Sequence, residues 1–258
     1  MATLITLTTD FGTADGFVGA MKGVILSLAP HATIVDVSHD IPPQDIRAGT
    51  FALETALSHF PPDTIHVVVV DPGVGSARAA LLVATEQGRF IGPDNGVLTG
   101  VATETHTTSI YALDRPNFWL PQVSATFHGR DVFAPAAAHL AKGALPQELG
   151  SLRSDMVRLP WPQPVKSSDG IAGEVIHVDR FGNLITNLRL EDLDSDHQHA
   201  RIRVGDTAIA GITPHYAAGK GIIVVPNSGG RLEIALPNAS AAKALRMGIG
   251  EKVRVLPP

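Results

Sequence analysis

Residues Ile65–Val70 read IHVVVV, a β-branched run without the polar alternation of a strand wetted on one face. Such a run suits a strand covered on both faces, the habit of a central strand in a sheet with helices packed on either side. The segments ahead of it fit that frame. Leu4–Thr8 is a short β-rich first strand. Gly16–Ala29 places Phe17, Val18, Met21, Val24, Ile25 and Leu28 at helical spacing and is closed by Pro30. Thr33–Val37 reads as a second strand, and Gln44–His59 as a second helix stopped by Pro61 and Pro62. The order strand, helix, strand, helix, strand predicts an α/β domain with a largely parallel sheet. Leu81–Thr85 adds a strand, Phe90–Gly96 mixes a short strand with a loop, and Asp131–Lys142 is a helix with Pro135 in its first turn.

The pattern changes after LPWPQP at 159–164 and the Ser167-Ser168-Asp169-Gly170 stretch, a linker signal. Helical periodicity gives way to short β-type runs at Ile171–Val178, Arg201–Val204, Gly221–Val225, Arg231–Leu236 and Lys252–Leu256. Turn residues separate them, as in a small antiparallel sheet or barrel. The expected organisation is therefore an α/β domain over 1–165, carrying catalysis, and a β-barrel-like domain over 166–258. A composition 44% hydrophobic and 17% charged excludes a disordered chain. The formal charge of −5 argues against a sequence-independent nucleic-acid binder. No apolar stretch approaches the roughly 18 residues of a membrane-spanning helix, and the N-terminus lacks the pattern of a signal peptide. Without cysteine there is no disulfide, thiolate metal site or cysteine nucleophile. Cytoplasmic location is the default for such a chain.

Polar residues gather where strands end, which is where ligands bind in open α/β sheets. Thr9–Gly16 holds Asp10 and Asp15 in a glycine-containing loop. A carboxylate there can accept from a ribose diol or pair with an ammonium; the bland alternative is helix capping by Asp15. Asp71-Pro72-Gly73-Val74-Gly75-Ser76-Ala77-Arg78 follows the apolar run, and its alternatives are a ligand loop or a turn closed by an Asp71–Arg78 salt bridge. It lacks the Gly-Lys-Ser/Thr of a phosphate loop. Gly92–Gly96 reads as a structural turn. His128, just ahead of a helix, suits an acid, a base or an orienting donor, or is simply solvated. In the second domain Asp179-Arg180-Phe181-Gly182-Asn183 offers an aromatic face and an amide. Asn227-Ser228-Gly229-Gly230 offers a hydroxyl and backbone N–H groups to a carboxylate. Each is also a plain hairpin turn. His197-x-His199 lacks a third ligand and reads as a solvated loop, so no metal is expected.

Taken together and in order, these motifs resemble the S-adenosyl-L-methionine (SAM) hydroxide adenosyltransferases, relatives of the fluorinases and chlorinases. DPGVGSAR, FHGRDVFAP and DRFGNLITN are the most specific combination. The resemblance implies hydrolysis of SAM to adenosine and L-methionine without a cofactor. It also implies a homotrimer, with substrate held between the first domain of one subunit and the second domain of its neighbour. By motif, Asp71, Arg78 and His128 match the set around the attacking water, and Asp10 the carboxylate at the ribose hydroxyls. Asp15 and Asp179 match positions near the methionine ammonium, Ser228 the methionine carboxylate, Asn183 the adenine edge and Phe181 the base face. Gly229 stands where the fluorinase-like branch has arginine, which shifts carboxylate recognition toward backbone N–H groups. A halide transferase and a non-catalytic SAM or adenosine-binding module are the alternatives. Asp71 beside the nucleophile favours water over a halide.

Overall fold

The computed structural model describes residues 3–101, 107–193 and 199–256, and the chain divides into two compact units, Met1–Leu159 and Pro160–Pro258. The first unit contains β1 (Leu4–Thr9), α1 (Phe17–Leu28), β2 (Thr33–Ser38), α2 (Ile46–Leu57), β3 (Ile65–Val69), β4 (Ala80–Thr85), β5 (Gly88–Pro93), β6 (Thr107–Ala112), α3 (Ala134–Ala141), α4 (Pro146–Leu149) and β7 (Ser151–Arg153). Its sheet runs β2-β1-β3-β5-β4-β6-β7. As its composition requires, β3 is buried along its whole length. Ile65, Val67 and Val69 join Met21, Ile25 and Phe133 on the face covered by α1 and α3. Val68 and Val70 join Ala48 and Leu53 of α2, with Phe90 and Leu98, on the other.

The expectation of a largely parallel sheet holds only for part of it. β1, β2, β3 and β5 are parallel, whereas the pairings β5–β4, β4–β6 and β6–β7 are antiparallel. The reason is local. Glu86 and Gln87 alone separate β4 from β5, and so short a link permits only a hairpin. The segment read as part loop, Phe90–Gly96, is therefore strand through Pro93. The helix expected from Asp131 begins instead as a π-helical turn, Gly129–Phe133, that runs into α3. Such turns concentrate at functional sites.

The second unit comprises β8 (Val165–Ser167), β9 (Gly170–Val178), β10 (Leu184–Arg189), β11 (Arg201–Val204), β12 (Thr207–Ala210), β13 (Ile223–Pro226), β14 (Arg231–Ala235), α5 (Ala241–Leu245) and β15 (Lys252–Leu256). Every pairing is antiparallel, in the order β12-β11-β15-β9-β10-β14-β13, with β8 on β9. The end strands β12 and β13 lie against one another, so the sheet curls toward a barrel around Val175, Leu184, Val224, Ile234 and Val253. No helix among the described residues is long and apolar enough to cross a membrane.

Candidate active site

In the first unit β1 and β3 are parallel neighbours, with Thr9 opposite Val69. The loops leaving their carboxyl ends emerge side by side, which places the Asp10 and Asp71 motifs at one edge of the sheet. The Asp71 loop coils tightly, with Val74 N–H donating to the Asp71 carbonyl at 3.2 Å and Ser76 N–H to that of Gly73 at 3.1 Å. Gly75 is obligatory in this coil: its φ is +77°, and a Cβ would stand 2.2 Å from the Ala125 carbonyl oxygen. The coil folds Arg78 back onto Asp71. Nε donates to Oδ1 at 2.9 Å and Nη2 to Oδ2, a bidentate pair whose side chains are only 9% and 4% exposed. The forked geometry offsets the cost of desolvating both charges. The Arg78 guanidinium also lies 5.4 Å from the Phe133 ring centre.

The same Nη2 stands 3.0 Å from Nδ1 of His128. A guanidinium can only donate, so Nδ1 accepts, and His128 is the neutral tautomer with its proton on Nε2. Burial and then the charge of Arg78 hold its pKa below the usual value, against weaker opposite pulls from Asp71 and Asp131. His128 leads directly into the π turn, which is pinned by the buried Asp131. That carboxylate accepts from Arg130 Nε at 2.6 Å and Ser124 N–H at 2.8 Å. Burial acts to raise the Asp131 pKa, but these bonds outweigh it and the group stays below its usual range.

Asp71 and His128 line a cleft of about 150 Å³ with Phe11, Phe17, Phe127 and Val74. The three phenylalanines form an aromatic corner with ring centres 5.3–5.9 Å apart. Asp10 sits beside Phe11, and its Oδ2 accepts Gln44 N–H at 2.8 Å. The loop is braced from below. Gly12 N–H donates to the His39 carbonyl at 2.8 Å, and Thr9 Oγ1 lies 2.8 Å from His39 Nδ1. Asp15 is exposed and does not cap α1, whose N-cap is Gly16 with no side-chain bond. Gly92–Gly96 is structural: Asn95 Nδ2 donates to Val70 O, and Asp94 accepts Val157 N–H.

The second unit gathers Phe181 and Asn183 in a cleft of about 730 Å³ with Tyr216 and the segment Leu236–Ser240. Phe181 is 77% exposed and Asn183 only 7%. Asp179 is a bracket for this turn. Its Oδ1 accepts the N–H groups of Phe181 and Asn183, and its Oδ2 accepts Asn183 Nδ2 at 2.9 Å. The Asn183 amide is thereby oriented, with Nδ2 on Asp179 and its oxygen turned away from it. Ser228 is exposed and lies outside the cleft lining. The expected nest of free backbone donors does not form. Asn227 takes the N–H groups of Gly229 and Arg231 on its side chain and of Gly230 on its carbonyl, closing the turn on itself. Among the described residues no group of three or more histidines and carboxylates is placed to hold a metal. His197 lies outside the described residues.

Models of the N-terminal and C-terminal domains of the SAM hydroxide adenosyltransferases match residues 5–150 and 173–254. The chain belongs to the SAM hydroxide adenosyltransferase family. It is 40% identical to an (R)-S-adenosyl-L-methionine hydrolase of Salinispora arenicola, over 97% of both chains. It is 38% identical to an enzyme of the same name from Thermus thermophilus, over 96% of this chain and 97% of the other. A fluorinase of Actinoplanes is 30% identical over 74% of this chain and 73% of its own. The crystal structure of an uncharacterized conserved protein from Thermotoga maritima superposes with a TM-score of 0.90 at 35% identity, covering 97% of this chain and 99% of that one. In this member of the family, sequence reasoning passed over Tyr216, Glu233 and Leu236–Ser240 around the second cleft. Tyr216 lies in a one-turn 3-10 segment between β12 and β13 that carries no motif, so only the fold brings it to Phe181.

Proposed function

We propose that this chain hydrolyses SAM to adenosine and L-methionine, with water attacking ribose C5′. The observation that carries the reading is the Asp71 carboxylate in the wall of the first cleft, clamped by Arg78 and shared through it with His128. Each Asp71 oxygen accepts one bond from Arg78 and keeps a further lone pair. His128 offers Nε2–H. A water between them receives the Nε2–H bond and passes a proton to Asp71 as its oxygen bonds to C5′. The C5′–S bond breaks with its electron pair going to sulfur, which leaves as the neutral thioether of methionine. The cationic sulfonium is already a leaving group, so the reading calls for no cofactor. The negative carboxylate disfavours a halide at the same place. Phe11, Phe17 and Phe127 give the cleft apolar walls, an environment in which opposite charges cancelling between nucleophile and sulfonium gain more than in water.

Asp10 is assigned to the ribose hydroxyls and Asp15 to the methionine ammonium, with Ser228 at its carboxylate. Asn183 presents an acceptor and its remaining N–H, the complement of an adenine edge, and Phe181 supplies the stacking face. Asp179 acts by holding that turn. The homotrimer with substrate shared between neighbouring subunits, and action in the cytoplasm, are carried forward from the family resemblance. The test is to incubate chelator-treated protein with SAM, with and without chloride, and separate the products chromatographically. Adenosine and methionine in equal amounts without halide are expected. A chlorinated nucleoside, or no turnover with tight binding, overturns the reading.

A further inference from the structure

Glu233 sits in the middle of β14, opposite Ile185 of β10 and Val225 of β13, and is only 3% exposed. A carboxyl so placed needs partners of its own. It finds one in the hydroxyl of Tyr216, which donates to Glu233 Oε1. The Tyr216 ring is half exposed and forms a wall of the second cleft, while its hydroxyl points inward to the sheet. Tyr216 sits in a single 3-10 turn with no side-chain cap. The nearby Thr213 N–H bond to Val224 O ties its loop to β13, but the ring itself is anchored through Glu233.

We infer that Glu233 is a positioning residue for substrate binding: from the rigid sheet it fixes Tyr216 in the cleft wall. The inference rests on the reading of the second cleft as the nucleoside site. Burial, and after it the Asp179 carboxylate, act to keep Glu233 protonated, while the Tyr216 bond favours its charged form. The tyrosine stays a donor throughout the working range, its pKa pushed up to about 12 by burial and by Glu233. Glu233 therefore keeps an acceptor oxygen for the Tyr216 hydroxyl whichever way it ionises. A side chain that acts through ground-state shape lowers affinity more than the rate of the bound complex.

Adenosine affinity by calorimetry and steady-state turnover of SAM are measured on the full chain for wild type, Glu233→Ala, Glu233→Gln and Tyr216→Phe. Loss of one anchoring bond is expected to weaken adenosine and raise KM by about tenfold, with a smaller change in kcat. Glu233→Gln, which keeps an acceptor for Tyr216, should recover part of the loss. Adding Tyr216→Phe to Glu233→Ala should cost less than Tyr216→Phe costs alone. Tyr216→Phe keeps the ring and the fold, so it decides the matter should Glu233→Ala not fold. Wild type that binds adenosine while the variants bind it equally well overturns this inference alone. Wild type that fails to bind adenosine overturns the nucleoside reading and this inference with it.

Discussion

Nη2 of Arg78 stands 3.0 Å from Nδ1 of His128, and the chemistry of the guanidinium makes the imidazole the acceptor. One arginine thus holds Asp71 as its bidentate partner and sets the tautomer of His128. Protonating His128 replaces that hydrogen bond with two cations face to face.

Activity should therefore depend on neutral His128. Burial and Arg78 place its pKa below the usual range, so kcat/KM is expected to hold level as pH falls through about 6.5 and to drop only below it. A profile with its acid limb at or above the ordinary histidine value would exclude His128 as the neutral donor to the attacking water.

Asp71→Asn keeps the shape of the side chain but replaces one acceptor oxygen with a donor nitrogen facing Arg78. Turnover is expected to fall by about 10²–10⁴, with SAM affinity changed far less. Single-turnover kinetics beside equilibrium binding separates the two, and wild-type turnover in this variant would sink the assignment.

Gly75→Ala forces a Cβ to within 2.2 Å of a backbone carbonyl at a positive φ. Since the clash is with backbone, the Asp71–Arg78 coil must shift. A loss of stability of about 1–3 kcal/mol is expected, with reduced kcat. Gly73→Ala, where a Cβ would meet nothing closer than 3.5 Å, serves as the control. Equal behaviour of the two variants would show that Gly75 is not what sets the coil.

His66 links stability to pH. It is fully buried, stacked on Phe90 at 4.9 Å, with Nδ1 2.8 Å from Thr6 Oγ1, and burial lowers its pKa to about 4. Its neutral form is the one that fits. Above about pH 6.5 both folded and unfolded chains carry it neutral and its contribution is intact. Between there and about 4 the unfolded chain binds a proton that the fold refuses, so stability falls as pH falls, by about 3 kcal/mol in all. Urea unfolding at stepped pH, with an NMR titration of the His66 ring, measures this. A ring that titrates near 6.5 in the folded protein would refute it.

Much of this was legible in the chain. The IHVVVV run called for two covering layers and has them, because an unbroken apolar strand leaves no face for water. The helices at 17–28 and 46–57 follow from apolar spacing and the prolines that end them. The motifs Asp71–Arg78 and Phe127–Asp131 stood out because glycine, charge and histidine cluster at strand and helix ends.

Other features had no local signature. The two-residue link sets β4 antiparallel to β5, but its length appears only once hydrogen bonding has fixed where each strand ends. Asp179 carries a second role that the chain did not show, its oxygens closing the turn on Phe181 and Asn183. The Asn227 turn looked like a set of free donors, and Asn227 uses them itself. The sequence by itself determined which segments are apolar, where they stop and which polar residues lie at their ends, because these depend on neighbours along the chain. Only the tertiary structure decided that Arg78 joins Asp71 to His128, fifty positions further on, and that Glu233 meets Tyr216. Those bonds form between side chains that the packed sheets bring within hydrogen-bond reach, and desolvation there gives them their strength and sets their protonation.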